Sequence, residues 1–170
     1  YPLEALIAWR PAIKAEGDDA FRQVLADAGF RRTLKDEMLT TGVPNRFSSN
    51  NWDHMTIMSV HKAEFSDLVG KKVGQLARDA GQDPWDWFLD FALADDLKTM
   101  FDVRLFNIDE DRVAELLRYE YGAIALSDAG AHRSFLCDAG FGLHLMGHWA
   151  RDKGEMSLEQ AVQTLTSRPA

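Results

Sequence analysis

The chain has 170 residues and a net charge of −8, with 46% hydrophobic and 27% charged residues. This composition is typical of a globular domain with a core of its own, and it excludes a disordered or fibrous chain. The negative charge argues against nucleic acid or an anionic membrane surface as the main partner, because both are bound through clustered cations.

Apolar residues recur at helical spacing along most of the chain. With their caps, the predicted helices span residues 2–13, 18–28, 31–39, 67–80, 83–93, 109–117, 141–151 and 157–165. Gly29 is the expected end of the second helix, since glycine commonly follows a helix C-terminus. Asp83 and Pro84 give the clearest start, a capping carboxylate before a proline at the first helical position. Ser157 and Gln160 form a capping box.

Three segments rich in strand-forming residues lie between the helices, at residues 52–60, 103–106 and 123–128. The last is a short apolar run that ends in Ser127 and Asp128. Such a run is typical of a buried parallel strand that delivers polar residues to a site at its carboxyl end. Helices that alternate with short strands indicate a helix-rich α/β protein.

The segment that follows this last strand is the strongest candidate for chemistry. Asp128 offers a carboxylate at the end of the strand, and His132 follows it closely in the sequence. Small residues between them, Gly130 among them, would let a substrate approach the backbone. A general base is one interpretation of this arrangement. The other is an aspartate that caps a loop or the next helix.

Two histidines are candidates for a metal site. His144 and His148 are four residues apart on a predicted helix and therefore share a face, as zinc-binding pairs do. Leu145 stands where an H-E-x-x-H motif has glutamate. The alternative is a pair of histidines packed against, or capping, an aromatic helix. We expect structural roles for His54 and His61.

The cellular location is predicted from what the sequence lacks. Cys137 is the single cysteine, which excludes an intrachain disulfide and favours a reducing compartment. No apolar run reaches the roughly 20 residues of a membrane span. The first residues show no basic segment followed by an apolar one, so no signal peptide is predicted. We therefore expect a cytoplasmic protein.

Several segments together resemble the C-terminal part of an amidohydrolase-superfamily enzyme. They are ALSDAGAH (125–132), CDAGF (137–141), HWARDKGEMSLEQAV (148–162), LTSRPA (165–170) and, upstream, VGKKVGQLARDAGQDPWDWFLDFAL (69–93). The group they resemble is the N-acyl-D-amino-acid deacylases, or D-aminoacylases. The resemblance extends from about residue 51 to residue 170. Each segment alone is weak, and their combination at this spacing is specific.

The resemblance implies a (β/α)8 barrel with zinc at the carboxyl ends of its strands. It implies a small acyl amide as substrate and amide-bond hydrolysis as the reaction. The aspartate that ends the last barrel strand in such enzymes acts as the general base, and by motif it corresponds to Asp128. Ser127, Gly130 and His132 would lie near that site.

The sequence departs from this family in length and in metal ligands. A (β/α)8 barrel takes about 250 residues, and the family's first-strand H-x-H pair is absent. We therefore expect residues 1–170 to be a single incomplete catalytic domain with the last strand–helix units of a metal-dependent hydrolase. We expect such a fragment to hold no zinc alone, to be inactive alone, and to self-associate through uncovered strand edges and apolar faces. The alternative is a non-catalytic helical module for self-association or partner binding.

Overall fold

The computed structural model describes residues 3, 6–40, 52–104, 107–124 and 140–168. The chain divides into two compact units, residues 1–106 and residues 107–170. In the described part of the first unit, the regular elements are α1 (Arg10–Ile13), α2 (Asp18–Ala26), α3 (Ala28–Leu39), β1 (Met55–Ser59), α4 (Val73–Asp79), α5 (Pro84–Ala94) and β2 (Met100–Val103). Short 3-10 helices cover Ile7–Trp9, Trp52–His54 and Ala63–Leu68.

The boundary predicted at Gly29 is wrong, because an aspartate two residues earlier ends one helix and starts the next. Asp27 is extended, with φ −69° and ψ 123°. Its carboxylate accepts a hydrogen bond from the Phe30 N–H at 2.7 Å. This cap starts α3 at Ala28, so Gly29 lies inside a helix, where glycine costs only about 1 kcal/mol.

The helix predicted over residues 67–80 is also shorter than expected. Residues 67 and 68 end the 3-10 helix Ala63–Leu68, and Gly70 then adopts a left-handed φ of 83°. The α-helix begins only at Val73. By contrast, α5 begins as predicted, with the Asp83 carboxylate accepting from the N–H groups of Trp85 and Asp86.

The core of the first unit lies between its helices and one face of the sheet. Leu34, Ile57 and Val73 are fully buried, and burying side chains of this kind stabilises a fold by about 1.5–3 kcal/mol each. Trp52 and Trp85 pack edge to face there, with ring centroids 4.7 Å apart. This packing joins α5 to the segment that leads into β1.

The two strands pair antiparallel, with Met55 opposite Val103 and Ile57 opposite Phe101. β1 begins three residues later than the predicted strand, and β2 begins three residues earlier. The described part of the chain is therefore helix-rich with one small two-stranded sheet. Strands of a (β/α)8 barrel are parallel, so barrel geometry stays a prediction for this chain.

The described part of the second unit consists of helices around a small core. They are α6 (Glu110–Leu117), α7 (Phe141–His144), a π-helix (Leu145–Asp152) and α8 (Leu158–Leu165). Asp109 caps α6 and the Ser157–Gln160 capping box starts α8, both as predicted. The helix predicted over residues 141–151 is helical, but most of it is π-helix. In the described residues, no helix is long and apolar enough to cross a membrane.

Candidate functional site

The predicted catalytic segment lies outside the described residues. Ser127, Asp128, Gly130 and His132 all fall between residues 124 and 140. The general-base role of Asp128 therefore stays a prediction. Of the predicted site residues, the structure describes the two histidines, and both lie in the second unit.

His144 and His148 lie one helical turn apart, at the end of α7 and within the π-helix. Their imidazole rings stack with centroids 4.8 Å apart and an interplanar angle of 14°. The Trp149 indole packs edge-on against the His148 ring at 5.1 Å and 80°. The two histidines thus share a face, as the sequence predicts, and they stack on each other beside a buried tryptophan.

A carboxylate from α6 fixes the second histidine. Glu110 Oε1 lies 3.0 Å from His148 Nε2. The Lys153 ammonium also pairs with Glu110. The hydrogen bonds from Lys153 and then from His148 lower the pKa of Glu110, against the smaller opposing effect of desolvation. Glu110 therefore stays ionised at neutral pH and ties α6 to both ends of the segment 148–153.

The described residues do not form a zinc site by themselves. No three His, Cys, Asp or Glu side chains come close enough together to hold a metal ion in the parts of the chain that the structure describes. The nitrogen lone pairs of an imidazole lie in the plane of its ring, and the rings of His144 and His148 are nearly parallel. Their lone pairs therefore lie in two stacked planes, whereas chelation needs lone pairs that converge on one metal ion. A catalytic zinc takes three protein ligands, and among the described residues no third ligand accompanies the two histidines.

An apolar groove of about 520 Å³ runs along the other side of the π-helix. Its lining is mostly aliphatic: Leu143, Met146, Gly147, Ala150, Arg151, Met156, Ser157 and Leu158. Arg151 is paired with Asp152 through two hydrogen bonds, so the groove presents little free charge. Its volume is in the range of small-molecule pockets. Sequence reasoning missed it, although Leu143, Met146 and Ala150 follow an i, i+3, i+7 pattern.

The first unit contains a buried carboxylate that the sequence did not single out. Asp95 has no exposed surface, and its oxygens accept from the N–H groups of His61 and Lys62 at 2.8–3.1 Å. The Thr99 hydroxyl donates to the same carboxylate at 2.5 Å. Burial opposes ionisation, but the hydrogen bonds together outweigh it and lower the pKa of Asp95. Its partners are two backbone N–H groups after β1 and one threonine hydroxyl after α5. Asp95 therefore holds the loop that follows β1 against the loop that follows α5.

Comparisons with protein-family models, curated proteins and solved structures find no match to this chain.

Proposed function

We propose that this chain carries part of the catalytic unit of a zinc-dependent amidohydrolase that cleaves the amide bond of N-acyl-D-amino acids or similar acyl amides. The observation that carries the proposal is the ordered combination of SDAGAH, SLEQAV and TSRPA within residues 127–170. In this proposal the chain supplies the last strand–helix units of a (β/α)8 barrel. We further propose a cytoplasmic location, supported by the single cysteine.

Asp128 is the proposed general base. It takes a proton from the attacking water while the water oxygen bonds to the amide carbonyl carbon. It then passes that proton to the leaving nitrogen as the carbon–nitrogen bond breaks. The products are a carboxylic acid and a free amine, so atoms and charge balance. Ser127, Gly130 and His132 flank this group in the sequence and complete the proposed site.

We also propose that this chain alone is inactive. Its five histidines include no H-x-H pair, and the described residues contain no group of three side chains that could hold a metal ion. The zinc site of the working enzyme would therefore need ligands from residues outside this sequence.

Two assays on the purified chain test this proposal. We expect no stoichiometric zinc after dialysis against a weak chelator and no release of amino acid from N-acyl-D-amino acids. Zinc-dependent turnover by the 170-residue chain would contradict the proposed inactivity.

A longer reading frame gives the positive test. If coding sequence upstream of Tyr1 contains an H-x-H motif, the longer protein should hydrolyse N-acyl-D-amino acids with zinc. In that protein Asp128→Asn should lower kcat by about 10²–10⁴-fold. The matched change Asp111→Asn, at an exposed position in α6, should leave kcat unchanged. Equal activity of the two variants would sink the assignment of Asp128.

Self-association is a second candidate function, and exposed apolar side chains favour it. Leu39, Met58 and Leu143 expose 64–73% of their surface, and Tyr121 exposes 81%. Exposed apolar side chains can become buried against a second copy, and they mark an interaction surface where they form a contiguous patch. Light scattering across a concentration series tests this candidate. A mass of one chain at every concentration would rule it out.

A further inference from the structure

The two strands of the small sheet differ in how fully their edges are used. β1 is hydrogen-bonded on both sides, because Ile57 N–H donates to the Lys71 carbonyl at 3.0 Å and its own carbonyl accepts from Gly70 N–H at 2.8 Å. β2 pairs with β1 on one side and has no neighbouring strand on the other among the described residues. Within the described part of the chain, the outer edge of β2 is therefore the open edge of the sheet.

The hydrogen-bonding groups on that open edge can be assigned from the ladder. Arg104 N–H donates to the His54 carbonyl at 3.0 Å, so Arg104 and, two residues away, Asp102 direct their backbone groups toward β1. Phe101 and Val103 alternate with them and direct their N–H and C=O groups outward. The bonds of Ile57 agree with this assignment. Ile57 lies opposite Phe101, and its own N–H and C=O bond to Lys71 and Gly70 on the far edge of β1, so neither residue of this pair bonds to the other.

The side chains beside these groups carry opposite charges and are exposed. Asp102 and Arg104 both point to the solvent face, and neither has an ion-pair partner in the described part of the chain. An edge with unpaired backbone groups and unpaired charges can pair with another strand. The charges on this edge decide which strand fits and in which register.

Of the antiparallel registers between two copies of β2 whose two-fold axis lies at Asp102, Val103 or Arg104, one places opposite charges together. With the two-fold axis at Val103, Asp102 lies opposite Arg104 of the second copy, and this favourable pair occurs twice. With the axis at Asp102 or at Arg104, identical charges face each other, which is destabilising. The backbone agrees with the first register, because Val103 directs both its N–H and its C=O outward and can exchange two hydrogen bonds with its symmetry mate.

We propose that β2 is the self-association surface of this protein and pairs antiparallel with β2 of a second copy about a two-fold axis at Val103. The inference rests on the self-association proposed above and gives it a location and a register. The result is a continuous four-stranded sheet in which each open edge covers the other. Such isologous pairing closes on itself and produces a dimer, not a filament.

Sedimentation equilibrium of the full chain tests the proposal. We expect a concentration-dependent mass that approaches twice the 19.2 kDa of one chain. Asp102→Arg should weaken the dimer by at least about tenfold in Kd, because it replaces two attractive pairs by two repulsive ones. This change makes the chain less acidic, so a general charge effect would strengthen association instead. Glu64→Arg, at an exposed position away from the strands, is the matched control and should not weaken the dimer.

Two further variants test the register and the backbone. The double variant Asp102→Arg with Arg104→Asp restores opposite charges and should restore the wild-type Kd. Val103→Pro removes an outward N–H without removing a hydrogen bond to β1, so it should abolish the dimer while the far-ultraviolet circular dichroism stays unchanged. A dimer that survives both Asp102→Arg and Val103→Pro would leave self-association standing and overturn its location at β2. Failure of the double variant to recover would overturn the register, and a wild-type monomer would overturn both proposals.

Discussion

The two units of this chain bury their apolar residues to different extents. In the first unit, the buried core includes two tryptophans, two phenylalanines and four leucines, and β1 adds Met55 and Ile57. In the described part of the second unit, the buried core is four residues: Ala114, Leu145, Trp149 and Ala161. Leu143, Leu158 and Val162 of the second unit remain 44–73% exposed. A small core that depends on one large side chain should be far more sensitive to a single truncation than a large aromatic one.

The largest expected effect follows directly from this difference. Trp149→Ala should destabilise the second unit by about 3–5 kcal/mol, because no other large aromatic side chain is buried in its described core. Hydrogen exchange read by mass spectrometry should show lost protection in peptides from residues 107–170 and unchanged protection in residues 6–104. Leu143→Ala, an exposed position on the adjoining helix, is the control. Equal loss of protection in both units would contradict the expected difference in sensitivity between the two cores.

A second variant tests the polar interior of the first unit. Asp95→Asn should cost about 1.5–3 kcal/mol, because an amide cannot accept all the hydrogen bonds that His61, Lys62 and Thr99 donate. The neighbouring Asp96 has a left-handed φ of 60°, which asparagine tolerates. Asp96→Asn removes only the partly exposed ion pairs with Arg22 and Lys62, which contribute little. It is thus the matched control, and urea denaturation of both variants gives the comparison. A larger loss at Asp96 would refute the importance of the buried carboxylate.

The same carboxylate predicts a direction for pH dependence. The folded-state pKa of Asp95 is lowered below its ordinary value. Its stabilising contribution is therefore fully present above the unfolded-state pKa of about 3.9 and is lost as the pH falls through the lower folded-state value. Urea midpoints measured between neutral and acid pH should fall more steeply for the wild type than for Asp95→Asn. Parallel profiles would show that Asp95 does not contribute.

The smallest effect concerns a helix start in the second unit. Ser157 Oγ accepts from Gln160 N–H at 3.2 Å, and Gln160 Oε1 accepts from Ser157 N–H at 2.9 Å. Ser157→Ala should cost about 0.5–2 kcal/mol, and Ser157→Thr should retain most of the stability because its hydroxyl can still cap. Thermal melts of the wild type and of the two variants give the order of their stabilities. If threonine behaved like alanine, the hydroxyl cap would not be the cause.

Signals that act over three or four residues could be read from the sequence. The caps at Asp83, Asp109 and Ser157 are predicted and confirmed, because each depends on a side chain and a backbone N–H that are neighbours in the chain. Gly29 misled the prediction for the same local reason. The stronger signal, the Asp27 cap, stood two residues earlier.

Features that depend on distant residues could not be read in this way. Asp95 finds its backbone donors more than 30 residues upstream, and nothing near it in the sequence marks it as buried. The apolar groove needs residues from α7, the π-helix, α8 and the turn that precedes α8. The open edge of β2 depends on the register with β1, which periodicity within one strand does not specify. The role of Asp128 stays a prediction, because residues 125–139 lie outside the described structure.

The π-helix has a consequence for how this segment tolerates changes in length. Its backbone N–H groups reach one residue further back than in an α-helix, as in the bond from Lys153 N–H to the His148 carbonyl. The segment Leu145–Asp152 therefore holds more residues per turn than an α-helix does. Deleting one residue from an ordinary α-helix rotates every later side chain by about 100°. In this segment the backbone can return to α-helical bonding when one residue is deleted. One residue can therefore be removed here without rotating the side chains that follow.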